Sequence, residues 1–437
     1  MSSIQAIHNQ LSDIKHVIVC VDPVDLDNIW LSLWALVRAP NAHIHITLSP
    51  RVLDLRVPSF AEHFEKLMAK VGLHYMLDVL EKNAEEIYDL LGDENLRDYF
   101  ARDAAFQTDP HTKTHIVLYM ALSALRFALK FSSKGHASSR YTFYWDPRSM
   151  ETIIPGIHHP THVNDYLYAC SDEDRRESSK YLHLKGQERE KKMVGIMERT
   201  ANRLAEQLGY QKPADILHPI KELIELFKGP LMGTQSLMLG GGPFTEMVRL
   251  LAETDFVPLA IVAMARTWYA DVNIFKNNYN DLMDLDAAME IENIVKKRAI
   301  PTWFFPTECA KAKVKGGEIL RACPWDFATE ELIAIFKAAG DMESYEQAAA
   351  FTRETMTLAK IHMFDVLTVV PLALPLSLPY RRAVSYWDWV NGQRVIRIKE
   401  AADGPINVFY PDEEAMAASK KMAMNEISYV LSPVSEE

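Results

Sequence analysis

The chain predicts an α/β protein: an open, mostly parallel sheet flanked by helices, carrying a large, mainly helical insertion. Three observations predict it. The apolar run His16-Val-Ile-Val-Cys-Val21 is followed by helical spacing over 28–37 and by the strand-like alternation Ala42-His-Ile-His-Ile-Thr-Leu48. Strand, helix and strand within about 30 residues is the unit from which parallel sheets are built. The same alternation resumes after Gly229, whereas helical periodicity dominates 58–229.

The first run is apolar without interruption, as a strand covered on both faces is. It ends at Asp22-Pro23, so its carboxyl end delivers acids to the edge where open α/β sheets bind ligands. Stretches 60–71, 75–91, 114–131, 187–208 and 214–227 repeat apolar residues at helical spacing with polar faces opposite. Tyr141-Thr-Phe-Tyr-Trp145 and Met150-Glu-Thr-Ile-Ile154, joined through Asp146-Pro-Arg148, read as a hairpin. Ser171-Asp-Glu-Asp-Arg-Arg-Glu-Ser-Ser179 reads as a charged surface loop. Beyond Gly229, strand-like Leu237-Met-Leu leads into Gly240-Gly-Gly242 and a helix over 244–254. A strand at 258–264, a helix at 286–294 and a strand at 302–305 follow, then helices over 330–363. Gln393-Arg-Val-Ile-Arg-Ile-Lys399 and Ile406-Asn-Val-Phe-Tyr410 are late strands. The expected division is an α/β core from 1–57 and 230–437, with 58–229 as an insertion forming a lid or an interface.

With 437 residues and 48% of them apolar, the chain can build a sizeable core. Its 47 basic and 59 acidic residues leave a net charge of −12, which argues against nucleic acid or an anionic membrane as partner. A small-molecule substrate is the expected partner. Cys20, Cys170, Cys309 and Cys323 are too scattered for a disulfide framework or a C-x-x-C metal site. The N-terminal residues lack the basic-then-apolar pattern of a signal peptide. The apolar stretch 116–131 carries Arg126 and Lys130 and falls short of the roughly 20 residues a span requires. A soluble, cytoplasmic protein is expected.

The acidic cluster Asp22-Pro-Val-Asp25-Leu-Asp27 carries the most chemistry. Close carboxylates repel one another unless water or a cation compensates them, and such oxygens are the ligands calcium prefers. The alternative is a solvated turn with an Asp N-cap. The spacing is not that of an EF-hand, so further ligands must come from elsewhere. Gly240-Gly-Gly242-Pro-Phe-Thr245 opens a helix after a strand but lacks nucleotide-loop spacing and needs no role beyond a tight turn. Asn277-Asn-Tyr-Asn280-Asp281 offers amides to a hydroxyl-rich ligand, or else forms Asx turns. Asp365 sits in an apolar stretch and wants a cation or strong donors, unless it caps the next segment. His158, His159 and His162 are interrupted by Pro160 and read as a loop near a site mouth rather than a zinc site. Met232, Met238 and Met247 read as core filler, and Trp387 with Trp389 as a half-exposed strand.

In their order along the chain these segments resemble the inosine-uridine-preferring nucleoside hydrolase family. Val19 to Asp27 is similar to the family's first strand with its D-x-D-P-G-x-D-D signature. Leu239-Gly-Gly-Gly-Pro-Phe-Thr245-Glu is similar to its L-G-P-L-T-N turn, and Ile261-Val-Ala-Met264 to V-V-M-G-G. Asn278-Tyr-Asn280 resembles E-F-N, Asp284-Leu-Asp286-Ala-Ala288 resembles D-P-E-A-A, and Phe364-Asp365 stands where the family has His-Asp. The resemblance covers roughly 15–57 and 230–437. It implies an open parallel sheet with one Ca²⁺ held by Asp22, Asp27, Asp365 and the main-chain carbonyl of Thr245, Asp22 as the base that deprotonates a calcium-bound water, and Asn280 on the substrate hydroxyls. A homodimer or homotetramer is also implied.

The departures bear on substrate. The signature's first Asp is Cys20, its Gly is Val24, and the acid that reads a ribose hydroxyl is Leu26, with Asp25 beside it. The family's G-N after the second strand is Ser49-Pro50, its Glu before F-N is Asn278, M-G-G is Met264-Ala265-Arg266, and the leaving-group His is Phe364. A site built to bond a hydroxyl discriminates strongly, so these losses imply a changed, more apolar substrate. The expected activity is Ca²⁺-dependent hydrolysis of an N- or O-glycosidic bond, or a related C–N or C–O bond. The alternatives are a repurposed metal-dependent lyase, cyclase or isomerase of specialised metabolism, and a non-catalytic binding protein stabilised by calcium.

Overall fold

The computed structural model describes residues 4–22, 26–49, 115–149, 170–181, 184, 186–268, 278–306, 327–328, 337–338, 360–361, 368–373, 379–390, 393–410 and 428–430. Short helix α1 (Ile4–Asn9) precedes β1 (His16–Val21), α2 (Leu26–Arg38) and β2 (His43–Leu48). Next come α3 (Ile116–Ser133), β3 (Tyr141–Trp145), α4 (Asp172–Ser179), α5 (Gly186–Gln207), β4 (Leu217–Pro219) and α6 (Ile220–Lys228). The second half runs through β5 (Ser236–Gly241), α7 (Thr245–Glu253), β6 (Ala260–Met264), α8 (Tyr279–Met283), α9 (Leu285–Arg298) and β7 (Thr302–Phe305). A small ladder of β8 (Phe327–Ala328) and β9 (Lys360–Ile361) stands apart, and α10 (Val370–Ala373) precedes β10 (Tyr380–Val390), β11 (Gln393–Glu400) and β12 (Ile406–Phe409).

Among the described residues ten strands form one sheet in the order β11-β10-β12-β7-β6-β5-β1-β2-β3-β4. From β4 to β12 every described pairing is parallel; only β10 runs against its neighbours. This is the α/β architecture the sequence predicts. The chain leaves β1 for β2, β3 and β4 on one side, then returns to place β5 on the other, so the direction of winding reverses between β1 and β5. Ligands of open α/β sheets bind at that crevice, beyond the carboxyl ends of the strands.

Both faces of the sheet are covered, and β1 divides its side chains between them. Val17, Val19 and Val21 join one core with α1, α2, α3 and α5, while Ile18 and Cys20 join the other with α6, α7 and α9. All five are 0–1% exposed, and full burial of such an aliphatic side chain contributes about 1.5–3 kcal/mol. Helix α3 is long and apolar enough to cross a membrane by length and composition, but 72% of it is buried within the fold.

Four local expectations are corrected. Tyr141–Trp145 is not half of a hairpin: β3 has β2 on one side and β4 on the other, both parallel, which leaves no edge for an antiparallel partner. The stretch 58–229 thus contributes two strands to the sheet itself. The charged segment after Cys170 is helix α4, not a loop, because the Ser171 hydroxyl accepts from the Asp174 amide and Arg199 of α5 bonds both Asp174 and Glu177. The helix expected over 214–227 is a 3₁₀ turn at Pro213–Ile216, the strand β4 and then α6, the break falling at Pro219. Met232 is 60% exposed, whereas Met238 and Met247 are core residues.

Candidate functional site

Asp22 is the first residue past β1 and is 1% exposed. Asn28, fully buried in the first turn of α2, donates its amide to both the Asp22 carbonyl (3.2 Å) and Asp22 Oδ1 (3.1 Å). This bond pair holds the strand end and the acid together. The other end of the Asn28 amide, Oδ1, is a buried acceptor with no hydrogen-bond partner among the described residues. A buried acceptor of this kind is a place where a water or an ion can bind.

The turn after β5 closes on the same point. A Cβ on Gly242 would lie 2.7 Å from the Asp22 nitrogen and 2.8 Å from the Val21 carbonyl carbon, so only glycine lets the two strand ends meet. Thr245 then opens α7, and its hydroxyl donates to Asp284 Oδ2 at 2.6 Å while Asp284 Oδ1 caps α9 at Ala287. The Thr245 side chain is therefore structural, and a ligand role would fall to its main chain.

Asn280 lies on α8 and donates its side-chain amide to the carbonyl of Met264, the last residue of β6, at 3.1 Å. Asn278 caps α8, its Oδ1 accepting from the Asn280 backbone N–H in an Asx turn. Met264, Asn278 and Asn280 are all buried. Asp25, the side chains of Leu26 and Asp27, the pair Phe364 and Asp365, and His158, His159 and His162 lie outside the described residues. Among the described residues no three His, Cys, Asp or Glu gather into a metal-holding group.

Two further buried groups flank the crevice. Glu246, in the first turn of α7, accepts a short hydrogen bond from Ser49 just beyond β2, and Ser49 in turn donates its backbone N–H to Val21. Ser149 beyond β3 and Arg249 of α7 also act on it, but burial outweighs them and pushes its carboxyl pKa up. Its Oε1 has no hydrogen-bond partner within bonding distance among the described residues. Arg249 is bonded to Asp146 instead. Near Glu246, burial pushes the Cys20 thiol up to about 12, which makes Cys20 an inert core thiol.

On the other side of the crevice, Arg266 follows β6 with φ 73°, a left-handed conformation uncommon outside glycine. Asp281 explains it. Its Oδ2 accepts from the Arg266 backbone N–H at 2.7 Å and its Oδ1 pairs with the guanidinium. The guanidinium also donates to Ser385 of β10 and to the Ala288 carbonyl, approaches Glu292 at 3.8 Å and lies over the Phe304 ring at 4.9 Å. The sequence marks Arg266 only as a residue standing where the resemblance has a glycine. It gives no signal for Asn28, and Glu246 looks there like an ordinary acid at a helix start.

No family model matches the chain, and no curated protein sequence matches it. Among solved structures, the type III effector protein XopQ complexed with adenosine diphosphate ribose is similar at a TM-score of 0.44 and 11% identity, covering 99% of this chain and 98% of that one. The effector protein XOO4466 is similar at a TM-score of 0.37 and 14% identity, covering 98% of each. The fold assignment itself rests on the strand order and register.

Proposed function

We propose that the chain is a divergent nucleoside hydrolase-like hydrolase. It cleaves an N- or O-glycosidic bond, or a related C–N or C–O bond, in a small molecule more apolar than a simple ribonucleoside. The observation that supports this most is Asp22: a buried carboxylate at the β1–β5 reversal, fixed by Asn28 and pressed against the Gly242 turn.

The donor chemistry here fits a hard divalent cation. Asp22 and the orphaned Asn28 Oδ1 are both oxygen donors, buried and adjacent. They would hold calcium together with Asp27, Asp365 and the Thr245 carbonyl, the ligands the resemblance implies. When bound, the ion would orient and polarise the attacking water. Asp22 takes the proton from that water, a role that requires a fixed carboxylate within hydrogen-bond reach. Asn28 supplies the fixing. Asn280, Asn278 and Met264 close the β6 side of the substrate space, with Asp25, Leu26 and Phe364 assigned to the same space by resemblance.

The test is metal content and turnover of the purified full chain, alongside Asp22→Asn, Asp27→Ala and Asp365→Ala. About one calcium per chain, lost in the Ala variants, is expected. Hydrolysis is expected of some member of a panel spanning ribonucleosides, adenosine diphosphate ribose and apolar glycosides. Asp22→Asn should lower kcat by about 10²–10⁴ while leaving the circular dichroism unchanged. Absence of calcium even in excess, with turnover indifferent to Asp22→Asn, would sink the proposal.

One observation favours a second enzymatic reading. The polar groups beside the crevice are bonded within the chain, Ser49 to Glu246 and Asn280 to the Met264 carbonyl, rather than left for sugar hydroxyls. A lyase, cyclase or isomerase would fit that better. Reaction in ¹⁸O-labelled water separates the two, since only hydrolysis places the label in a product. Calcium-dependent thermal stability without any turnover would leave a binding protein.

A further inference from the structure

Three imidazoles meet on the α6 side of the β1–β2 pair. His16 and His43 are register partners, and His45 follows two residues on, so all three share one face. His16 Nδ1 and His45 Nε2 are 3.1 Å apart, and the His43 and His45 ring centroids are 4.7 Å apart. His45 is 3% exposed. From β3, the Tyr144 hydroxyl lies 3.4 Å from His45 Nδ1, and the Thr142 hydroxyl lies 2.9 Å from His43 Nε2. From α6, Phe227 sits edge-on to both His16 and His45.

The charged neighbours offer no relief to a proton arriving here. Arg140, in the turn before β3, opposes protonation of His43, while the Ser139 backbone favours it. Glu222 of α6 acts on Tyr144 rather than on one of the three clustered imidazoles, and its own bond, 3.0 Å long, goes to His218 of β4. Burial, reinforced by the other imidazoles at His16 and His45 and by Arg140 at His43, holds all three pKa values below the ordinary 6.5, His45 furthest. The N···N contact survives one added proton in the His16–His45 pair but not two, because two imidazolium ions would aim donors at each other.

We propose that this cluster is an acid-sensitive latch: uncharged, the rings seat Phe227 and hold α6 on the β1–β2–β3 face, and their protonation releases it. The sign follows from linkage. Below about pH 6.5 the unfolded chain takes up protons that the folded cluster refuses, so the full hold is present above that pH and is lost as pH falls. Each refused proton lowers the local folding constant roughly tenfold per pH unit. The latch reaches the crevice through β2, whose same-face residues run His43, His45, Thr47 and then Ser49, the hydroxyl bonded to Glu246.

The experiment is amide hydrogen exchange of the full chain at pH 7.5 and 5.5, corrected for intrinsic rates, with nitrogen-detected titration of the histidine rings. Protection over 43–48 and 220–228 should fall at least tenfold more than over 302–305, and the three rings should stay neutral well below pH 6.5. His45→Phe, which keeps a ring against Phe227, should shrink the pH difference; His43→Gln serves the same purpose should that variant fail to fold. Rings titrating independently near 6.5, or protection lost evenly across the sheet, would overturn the latch.

Discussion

Glu246 and Asp281 are both carboxylic acids buried to within 1% of completely, on opposite sides of the β1–β5 reversal, and they settle their charge differently. Glu246 faces hydroxyls, from Ser49 and Ser149, and the arginine nearest it is bonded to Asp146. Burial therefore pushes it toward the neutral acid. Asp281 faces Arg266, which bonds it through both backbone and guanidinium. Burial pushes its pKa up too, while Arg266 opposes that shift through both its backbone and its guanidinium. One side of the crevice answers its buried carboxyl with hydroxyls, the other with a guanidinium. Desolvation must be answered wherever a carboxyl is buried, and the answer chosen decides what a mutation costs.

The sharpest way to break the comparison is Arg266→Met. It leaves Asp281 and Glu292 as buried carboxylates without their cation, and about 3–5 kcal/mol should be lost from the unfolding free energy in urea. Pairing it with Asp281→Leu should recover much of that loss, since removing both charges from a buried pair is often nearly neutral. A single variant within about 1 kcal/mol of the parent would mean that Arg266 is not the keystone of this side.

Asn280→Ala probes the same side more gently. It strips the donor from the buried Met264 carbonyl, an acceptor left unsatisfied at about 1–3 kcal/mol. Under the proposed function it should raise KM more than it lowers kcat, because Asn280 is there assigned to substrate rather than to the reacting water.

The contrast was only partly legible in the sequence. The strands β1, β5, β6 and β7 announce themselves as apolar runs because both faces are covered. β2 also announces itself, by alternation, but alternation ordinarily means one wet face; here α6 covers the polar one, which is how His45 came to be buried. β3 was legible as a strand and misassigned in pairing, since Asp146-Pro-Arg148 carries the same turn chemistry whether or not a hairpin follows. β4, three residues ending in Pro219, is too short to show a period. In the site, Asp22 stood out as an acid at a strand end. Arg266 showed only as a missing glycine, and its left-handed backbone makes sense only once Asp281, fifteen residues away, is seen to grip it. Nothing local distinguishes Asn28, because its orphaned oxygen is a property of where β1 ends.

Glu246 was the least legible of all, because acids are favoured in the first turn of a helix for their charge. Its test is accordingly the quietest. Glu246→Gln exchanges the carboxyl for a neutral amide of the same shape, so below pH 4.5, where a carboxyl of raised pKa holds its proton, stability should stay within about 1 kcal/mol of the parent. The pH dependence carries the information. A carboxyl with a raised folded pKa contributes most below the unfolded value near 4.5, and that contribution fades as pH rises and the unfolded chain ionises first. The variant should therefore gain on the parent as pH rises above 4.5, as read from urea midpoints. The opposite slope would make Glu246 a buried anion, and its natural partner would then be Arg249, drawn away from Asp146, so that both sides of the crevice would be held by ion pairs.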